Sequence, residues 1–344
     1  MNESFNNPFF RWDNGTFITI DQTKLPFKEI YIKLYYTKDY YDAIKKLKVR
    51  GAPAIGVVAC YGVLSSIHRS KNFKKAKEES LKTIEILKTA RPTAVNIFNL
   101  LEKMKVLIET FDTNDYEFFK NKIFEFCENV YKYEVYTCEK MAAYGYRLIK
   151  NGMNVLTHCN TGMLATPGIG TALGIIFKAF QKNIKFNLFI PETRPLLQGS
   201  RLTVFEVEKF KIPYTLITDN MRGYLFSQGK IDIVFVGADR IALNGDTANK
   251  IGTFESALFS SYFKKPFYVV APTTTFDPKI KTGREITIEE RKREEVTFIQ
   301  NKKITIAKNV FNPAFDITPS KFITGIITEK GIIKAEKECI KEIL

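Results

Sequence analysis

Val155-Leu156-Thr157-His158-Cys159-Asn160-Thr161-Gly162 and Ile231-Asp232-Ile233-Val234-Phe235-Val236-Gly237-Ala238-Asp239 share one pattern: a short apolar run gives way to glycine and polar residues. Runs of this length predict strands buried on both faces of a parallel sheet, and ligands of such sheets sit outside the carboxyl ends of the strands. Cys159 and Asp239 are thereby delivered to one rim, a thiol that serves as nucleophile or base facing a carboxyl that serves as acid.

Working outward, strands are expected at 155–159, 186–190, 214–218, 231–236, 267–271 and 323–328. Helices are expected between several of them, at about 166–180, 199–210, 220–227 and 252–264. This alternation defines a doubly wound, Rossmann-like α/β domain with a mostly parallel sheet. Upstream the texture differs. Phe9 to Trp12 and Thr16 to Ile20 flank Asn14-Gly15, a strong hairpin signal, and Glu29 to Tyr35 is strand-like. Helical periods follow at roughly 39–47, 53–69, 73–88 and 93–110. The expected division is a small, largely helical α+β domain over 1–120 and a Rossmann-like catalytic domain over 121–344, joined by a long helix at about 116–150.

The chain has 344 residues, 45% of them hydrophobic, enough for a full core in two domains. Met1 to Trp12 lacks the pattern of a secretory leader, and no apolar run approaches the ~20 residues of a membrane span; a soluble, cytoplasmic protein is expected. Five cysteines, Cys60, Cys127, Cys138, Cys159 and Cys339, without CxxC spacing, and only two histidines, His68 and His158, indicate neither a disulfide framework nor a metal site. The net charge of +15 is spread over amphipathic stretches and the sign-alternating segment Arg284 to Glu295, with no basic stripe for nucleic acid. A positive field of this kind draws in a small phosphorylated substrate.

Cys159 precedes Asn160-Thr161-Gly162 and a helix, so its thiol is expected beside a helix N-terminus, where backbone donors and the dipole lower a thiol's pKa. The alternative is a small buried hydrophobe, the usual fate of a free cysteine. His158 points to the opposite strand face, making it a packed or supporting residue rather than the base. Asp239 leaves its strand through small residues. A carboxyl held against apolar walls stays protonated and can donate; the alternative is a pair with Arg240 or a helix cap. Three loops suit phosphate or sugar oxygens: Arg50-Gly51-Ala52-Pro53 ahead of a helix, Glu192 to Gly199, and Asn249-Lys250-Ile251-Gly252-Thr253, where Lys250 supplies a point charge. Gly168, Gly170 and Gly174 give GxGxxxG, one residue longer than the dinucleotide fingerprint and too far past the strand, and are read as helix-packing glycines.

With these residues in view, the chain resembles the methylthioribose-1-phosphate isomerases, aldose-ketose isomerases of methionine salvage in the initiation-factor-2B-like superfamily. The blocks that carry the likeness are RGAPAIG (Arg50 to Gly56), RPTAVN (Arg91 to Asn96), THCNTG (Thr157 to Gly162), ETRPLLQGSRLT (Glu192 to Thr203), ITDNM (Ile217 to Met221), VGADRIALNGDTANKIGT (Val236 to Thr253), NPAFDITP (Asn312 to Pro319) and ITEKG (Ile327 to Gly331). The resemblance implies that Cys159 and Asp239 are catalytic. It also implies that Arg50, Gly51, Ala52, Arg91, Gln198, Asn249 and Lys250 contact the substrate, that no cofactor is used, and that the protein is a homodimer. Departures fall on Thr161, Pro191 and Arg222, where the family usually has Ala, Asp and Ala; they are expected to tune the pocket rim. Two alternatives stay open: a related isomerase acting on ribose 1,5-bisphosphate or 5-deoxyribose 1-phosphate, and a noncatalytic, sugar-phosphate-binding relative of the translation-initiation exchange-factor subunits.

Overall fold

Asn14 and Gly15 take φ of 39° and 89°, the primed turn that matches strand twist. They close a hairpin between β1 (Phe10–Asp13) and β2 (Thr16–Ile20), to which β3 (Tyr31–Leu34) adds antiparallel. The computed structural model describes residues 7–91, 95–112, 114–300 and 302–344. The chain forms two compact units, 1–136 with 163–169, and 137–162 with 170–344.

In the first unit, α1 (Thr37–Lys45) begins where the Asp39 carboxylate accepts the Tyr36 N–H at 2.8 Å. The helix α2 (Ala52–His68) is apolar on nearly every side and buried from Pro53 to Ile67, as a central helix must be. Around it pack α3 (Phe73–Lys88) and α4 (Val95–Glu109). The amphipathic α3 buries Ala76, Ser80, Thr83, Ile84 and Leu87, and Asn72 caps it by accepting the Lys75 N–H at 3.0 Å. The start of the helix expected from 93, including Pro92 to Ala94 of the RPTAVN block, lies outside the described residues. The unit boundary falls inside α5 (Tyr116–Gly145). Segment 163–169 joins the first unit through its backbone: Asn7 Nδ2 donates to the Met163 and Thr166 carbonyls at 2.8 and 2.7 Å, and Gln22 Nε2 to that of Leu164 at 2.7 Å.

The second unit contains β4 (Asn154–Leu156), β5 (Asn187–Pro191), β6 (Tyr214–Ile217), β7 (Ile233–Val236), β8 (Arg240–Ala242), β9 (Thr247–Lys250), β10 (Phe267–Val270), β11 (Phe276–Asp277), β12 (Phe298–Ile299), β13 (Lys302–Lys303), β14 (Phe315–Thr318), β15 (Gly325–Thr328) and β16 (Gly331–Ile333). Its helices include α6 (Ala172–Gln181), α7 (Val204–Lys209), α8 (Arg222–Ser227) and α9 (Thr253–Tyr262). The main sheet has seven strands in the order β16-β15-β10-β7-β4-β5-β6, all parallel except the edge strand β16. Both β7 and β15 are buried at every position, as strands covered on both faces are. The chain enters at β4, winds through β5 to β6, then returns to β7 and winds the other way through β10 and β15. Strand order therefore reverses between the neighbours β4 and β7, the position at whose carboxyl ends sheets of this kind bind their ligands. The expected α/β class and mostly parallel sheet are thus observed.

The local boundaries differ from the sequence expectation in three places. First, β4 ends at Leu156 and α6 starts only at Ala172. Second, the helix expected at 199–210 opens as a π-turn, Gly199–Thr203. Third, a four-stranded sheet, β11-β8-β9-β14, comes after Asp239; its strands are too short and too polar to show alternation. Of the glycines read as packing residues, Gly174 is buried in α6, and Gly170, just before it, lies against the Thr161–Gly162 backbone. Close approach is tightest at Gly199, where a Cβ would fall 1.8 Å from the Pro191 carbonyl oxygen. Gly199→Ala is expected to destabilise the fold by about 2 kcal/mol or more through overpacking, measured as a lower midpoint of urea unfolding.

Candidate active site

Past the end of β4 the chain makes a tight turn at Cys159, which takes φ of 61° and is 7% exposed. Left-handed backbone at a non-glycine residue is costly and persists only where surroundings impose it. Two buried threonines impose it here. The Cys159 N–H donates to Thr193 Oγ1 at 3.1 Å, and Thr203 Oγ1, carried by the π-turn, donates to the Cys159 carbonyl at 2.6 Å. Thr193 is held in turn by Asp219, whose carboxylate accepts the N–H groups of Thr193 and Arg194 at 3.0 and 2.6 Å. Asn160 Nδ2 donates to the buried Glu206 carboxylate at 2.7 Å and to Thr203 Oγ1 at 3.3 Å.

The expectation that Cys159 sits at a helix N-terminus needs correction. The helix begins at Ala172, and Thr161 serves its first turn: the Leu173 N–H donates to Thr161 Oγ1 at 3.0 Å, and the preceding Thr171 N–H to the Thr161 carbonyl at 2.8 Å. Two other deeply placed thiols are of the inert kind, since burial pushes Cys60 up to about 12 and Cys127 well above its usual value.

Asp239 leaves β7, paired directly with β4, so it emerges at the same rim as Cys159, on the two strands that flank the reversal of order. It is half-buried, and its N–H donates to the Ala248 carbonyl at 2.9 Å. Strand β8 begins at the very next residue, which removes the helix-cap reading, and Arg240 lies 3.9 Å from the Asp277 carboxylate. Gln198 is buried at the head of the π-turn, and its Oε1 has no hydrogen-bond partner among the described residues. A buried amide oxygen left so is costly and is what a substrate hydroxyl would satisfy. Asn249 and Lys250 end β9. Asn249 Nδ2 donates to Thr253 Oγ1 at 2.9 Å; Lys250 Nζ donates to the Ala314 carbonyl at 2.9 Å and stands 4.6 Å from the Phe315 ring centre. The turn after Lys250 is fixed by Asp316, whose carboxylate accepts the N–H groups of Gly252 and Phe254 at 2.7 and 3.1 Å. Burial pushes that carboxyl up to about 6, against the pull of the two N–H groups and Arg222.

In the first unit, Arg50 and Arg91 are half-buried, Gly51 takes φ of 92° as the cap of α2, and Ala52 is the first residue of that helix. The Ala54 N–H of the same turn donates to the Ala165 carbonyl at 3.2 Å. The sequence alone singles out none of the side chains Thr193, Thr203, Asp219 and Asp316. All lie in the blocks that carry the family likeness, but their partners are distant along the chain and no local pattern marks them. Arg222, read as a rim departure, is 2% exposed and so is no rim residue.

His158 is a packed residue, as expected. Its Nε2–H donates to the Ile251 carbonyl at 2.9 Å, and burial together with the Arg222 charge pushes the imidazole down to about 3. The unfolded chain takes up this proton below about 6.5 and the folded chain does not, so the His158 contribution to stability is lost as pH falls through that window. Relative to His158→Gln, the wild type is expected to lose up to about 1.4 kcal/mol per pH unit between roughly pH 6 and 4, read from urea midpoints of both proteins.

Among the described residues no helix is long and apolar enough to cross a membrane, and no cluster of three His, Cys, Asp or Glu side chains is placed to hold a metal ion. A profile of the Initiation factor 2 subunit family matches residues 48–335. A methylthioribose-1-phosphate isomerase from Caldicellulosiruptor saccharolyticus is 46% identical over 343 residues, covering 94% of this chain and 95% of the relative. Another, from Carboxydothermus hydrogenoformans, is 43% identical over 334 residues, covering 96% and 97%. The crystal structure of 5-methylthioribose 1-phosphate isomerase from Pyrococcus horikoshii OT3 superposes with a TM-score of 0.92 at 36% identity, over 97% of this chain and 94% of that one. That of translation initiation factor eIF-2B, subunit delta, from A. fulgidus gives 0.85 at 40% identity, over 94% and 95%. By sequence and by fold, the chain belongs to the initiation factor 2 subunit family and, within it, to the methylthioribose-1-phosphate isomerases.

Proposed function

We propose that this chain converts 5-methylthioribose 1-phosphate to 5-methylthioribulose 1-phosphate, the aldose-ketose isomerisation of methionine salvage, with Asp239 as proton donor and Cys159 as its catalytic partner. The observation that carries the reading is topological: the two residues lie just past β4 and β7, the neighbouring strands between which the sheet order reverses. The names of the full-length relatives support the substrate.

The substrate is a furanose phosphorylated at C1, so its carbonyl is masked. Asp239 donates a proton to the ring oxygen as the C1–O4 bond breaks. Hydrogen then passes from C2 to C1, and the C2 hydroxyl loses its proton to give the ketone. In one route the Cys159 thiolate removes the C2 proton, giving an enediol-like intermediate that is reprotonated at C1. In the other, hydride shifts from C2 to C1 while Cys159 and Asp239 handle the hydroxyl protons. Deuterium entering C1 from heavy water marks the first route, and full retention of the substrate hydrogen marks the second.

Gln198, Asn249 and Lys250, with Arg50, Gly51, Ala52 and Arg91, are the proposed substrate contacts, on the strength of their sequence blocks and the unpartnered Gln198 oxygen. In this reading the protein is a cytoplasmic homodimer that needs no cofactor, membrane or nucleic acid; the family resemblance supports the homodimer and the lack of a cofactor. The likeness to the structure of translation initiation factor eIF-2B, subunit delta, is the observation behind the second, noncatalytic reading. The discriminating test is turnover by the purified chain of methylthioribose 1-phosphate, ribose 1,5-bisphosphate and 5-deoxyribose 1-phosphate. Ketose is expected to form fastest from the first; a preference for another sugar would reassign the substrate, and no ketose from any would favour the regulatory reading.

A further inference from the structure

We propose that Arg222 is a positioning residue, tying the turn that carries Cys159 to the segment that carries Asn249 and Lys250. The proposal rests on the isomerase reading for its kinetic consequence, not for its geometry. On one side the Arg222 Nε–H donates to the Asp219 carbonyl at 2.9 Å, and the Asp219 carboxylate holds the N–H groups of Thr193 and Arg194. Thr193 Oγ1 receives the Cys159 N–H. On the other side Nη1 donates to the Gly252 carbonyl and, at 2.9 Å, to Ser256 Oγ, while Nη2 meets the Glu255 carboxylate. The Gly252 N–H is taken by Asp316, and Asp316 stands opposite Asn249 in the β9–β14 register. One guanidinium thus spans the interval between the Cys159 turn and the start of α9.

A planar fork of five donors can serve these divergent acceptors together; an ammonium cannot. A buried cation is also a poor device for stability alone, because taking it out of water carries a desolvation cost that apolar packing does not incur. Its return is placement, and a shift of about 1 Å in a reacting group can cost roughly 100-fold in rate.

The experiment compares wild type with Arg222→Lys and Glu255→Gln at a temperature where circular dichroism shows each folded. Arg222→Lys keeps a positive charge near Glu255 but loses the Nε contact to Asp219. It is expected to lower kcat about 10- to 100-fold with a much smaller change in KM, and to speed iodoacetamide labelling mapped to Cys159 by mass spectrometry. The labelling needs no substrate, so it decides the role of Arg222 even if the sugar is not turned over. Absence of turnover in wild type would count against the isomerase reading alone. Folded Arg222→Lys with wild-type kcat and labelling rate would overturn the proposal, as would failure of Arg222→Lys to fold, which would make the residue purely structural. Glu255→Gln removes the partly exposed ion pair and keeps the bridge. It is expected to retain wild-type kcat, and a loss matching that of Arg222→Lys would assign the effect to charge and overturn the bridge.

Discussion

Asp239→Asn is expected to lower kcat on methylthioribose 1-phosphate at least ~100-fold, the effect typical of losing a general acid. The amide is nearly isosteric but has no acidic proton to give the ring oxygen as C1–O4 breaks. The fold should survive. Asp239 is anchored through its backbone N–H to the Ala248 carbonyl, a bond that the substitution leaves in place, and the strand before it is buried and apolar. Thermal unfolding within a few degrees of wild type together with the lost rate would support the acid role; near-native turnover would remove it.

Cys159→Ser is expected to cost at least ~100-fold as well. The hydroxyl that replaces the thiol ionises far less readily, so it can neither take the C2 proton nor relay a hydroxyl proton at neutral pH. The positive-φ turn should persist in the variant, because its N–H and carbonyl are held by Thr193 and Thr203 and not by its own side chain. Steady-state kinetics with a matched unfolding curve check both statements. A Cys159→Ser enzyme of wild-type rate would leave the thiol a packing residue, the alternative its burial invites.

The layers of this fold were legible because strands such as Ile233–Val236 are continuous apolar runs and helices such as Phe73–Lys88 carry a clear 3.6-residue period. The Asn14-Gly15 hairpin was legible from turn chemistry alone. Cys159 and Asp239 could be placed on one rim because a parallel sheet presents all its carboxyl ends on the same side. Other features escaped for physical reasons. Thr157 to Cys159 look like more strand, yet β4 stops at Leu156 because tertiary hydrogen bonds turn the backbone at Cys159. The hairpin of Arg240–Ala242 and Thr247–Lys250 has strands of three and four residues and is stabilised by pairing with a distant part of the chain, at Phe315–Thr318. Arg222 precedes Gly223-Tyr224-Leu225-Phe226, a local sequence that does not foretell a fully buried guanidinium.

The central claim is that Cys159 and Asp239 act on one sugar at the reversal of strand order. The most direct test is a crystal structure of the slowed Asp239→Asn variant soaked with methylthioribose 1-phosphate. The account predicts one sugar with its ring oxygen about 3 Å from the carboxamide introduced at position 239 and C2 or its hydroxyl within reach of the Cys159 sulfur. A sugar bound elsewhere, or touching only one of the two side chains, would contradict it.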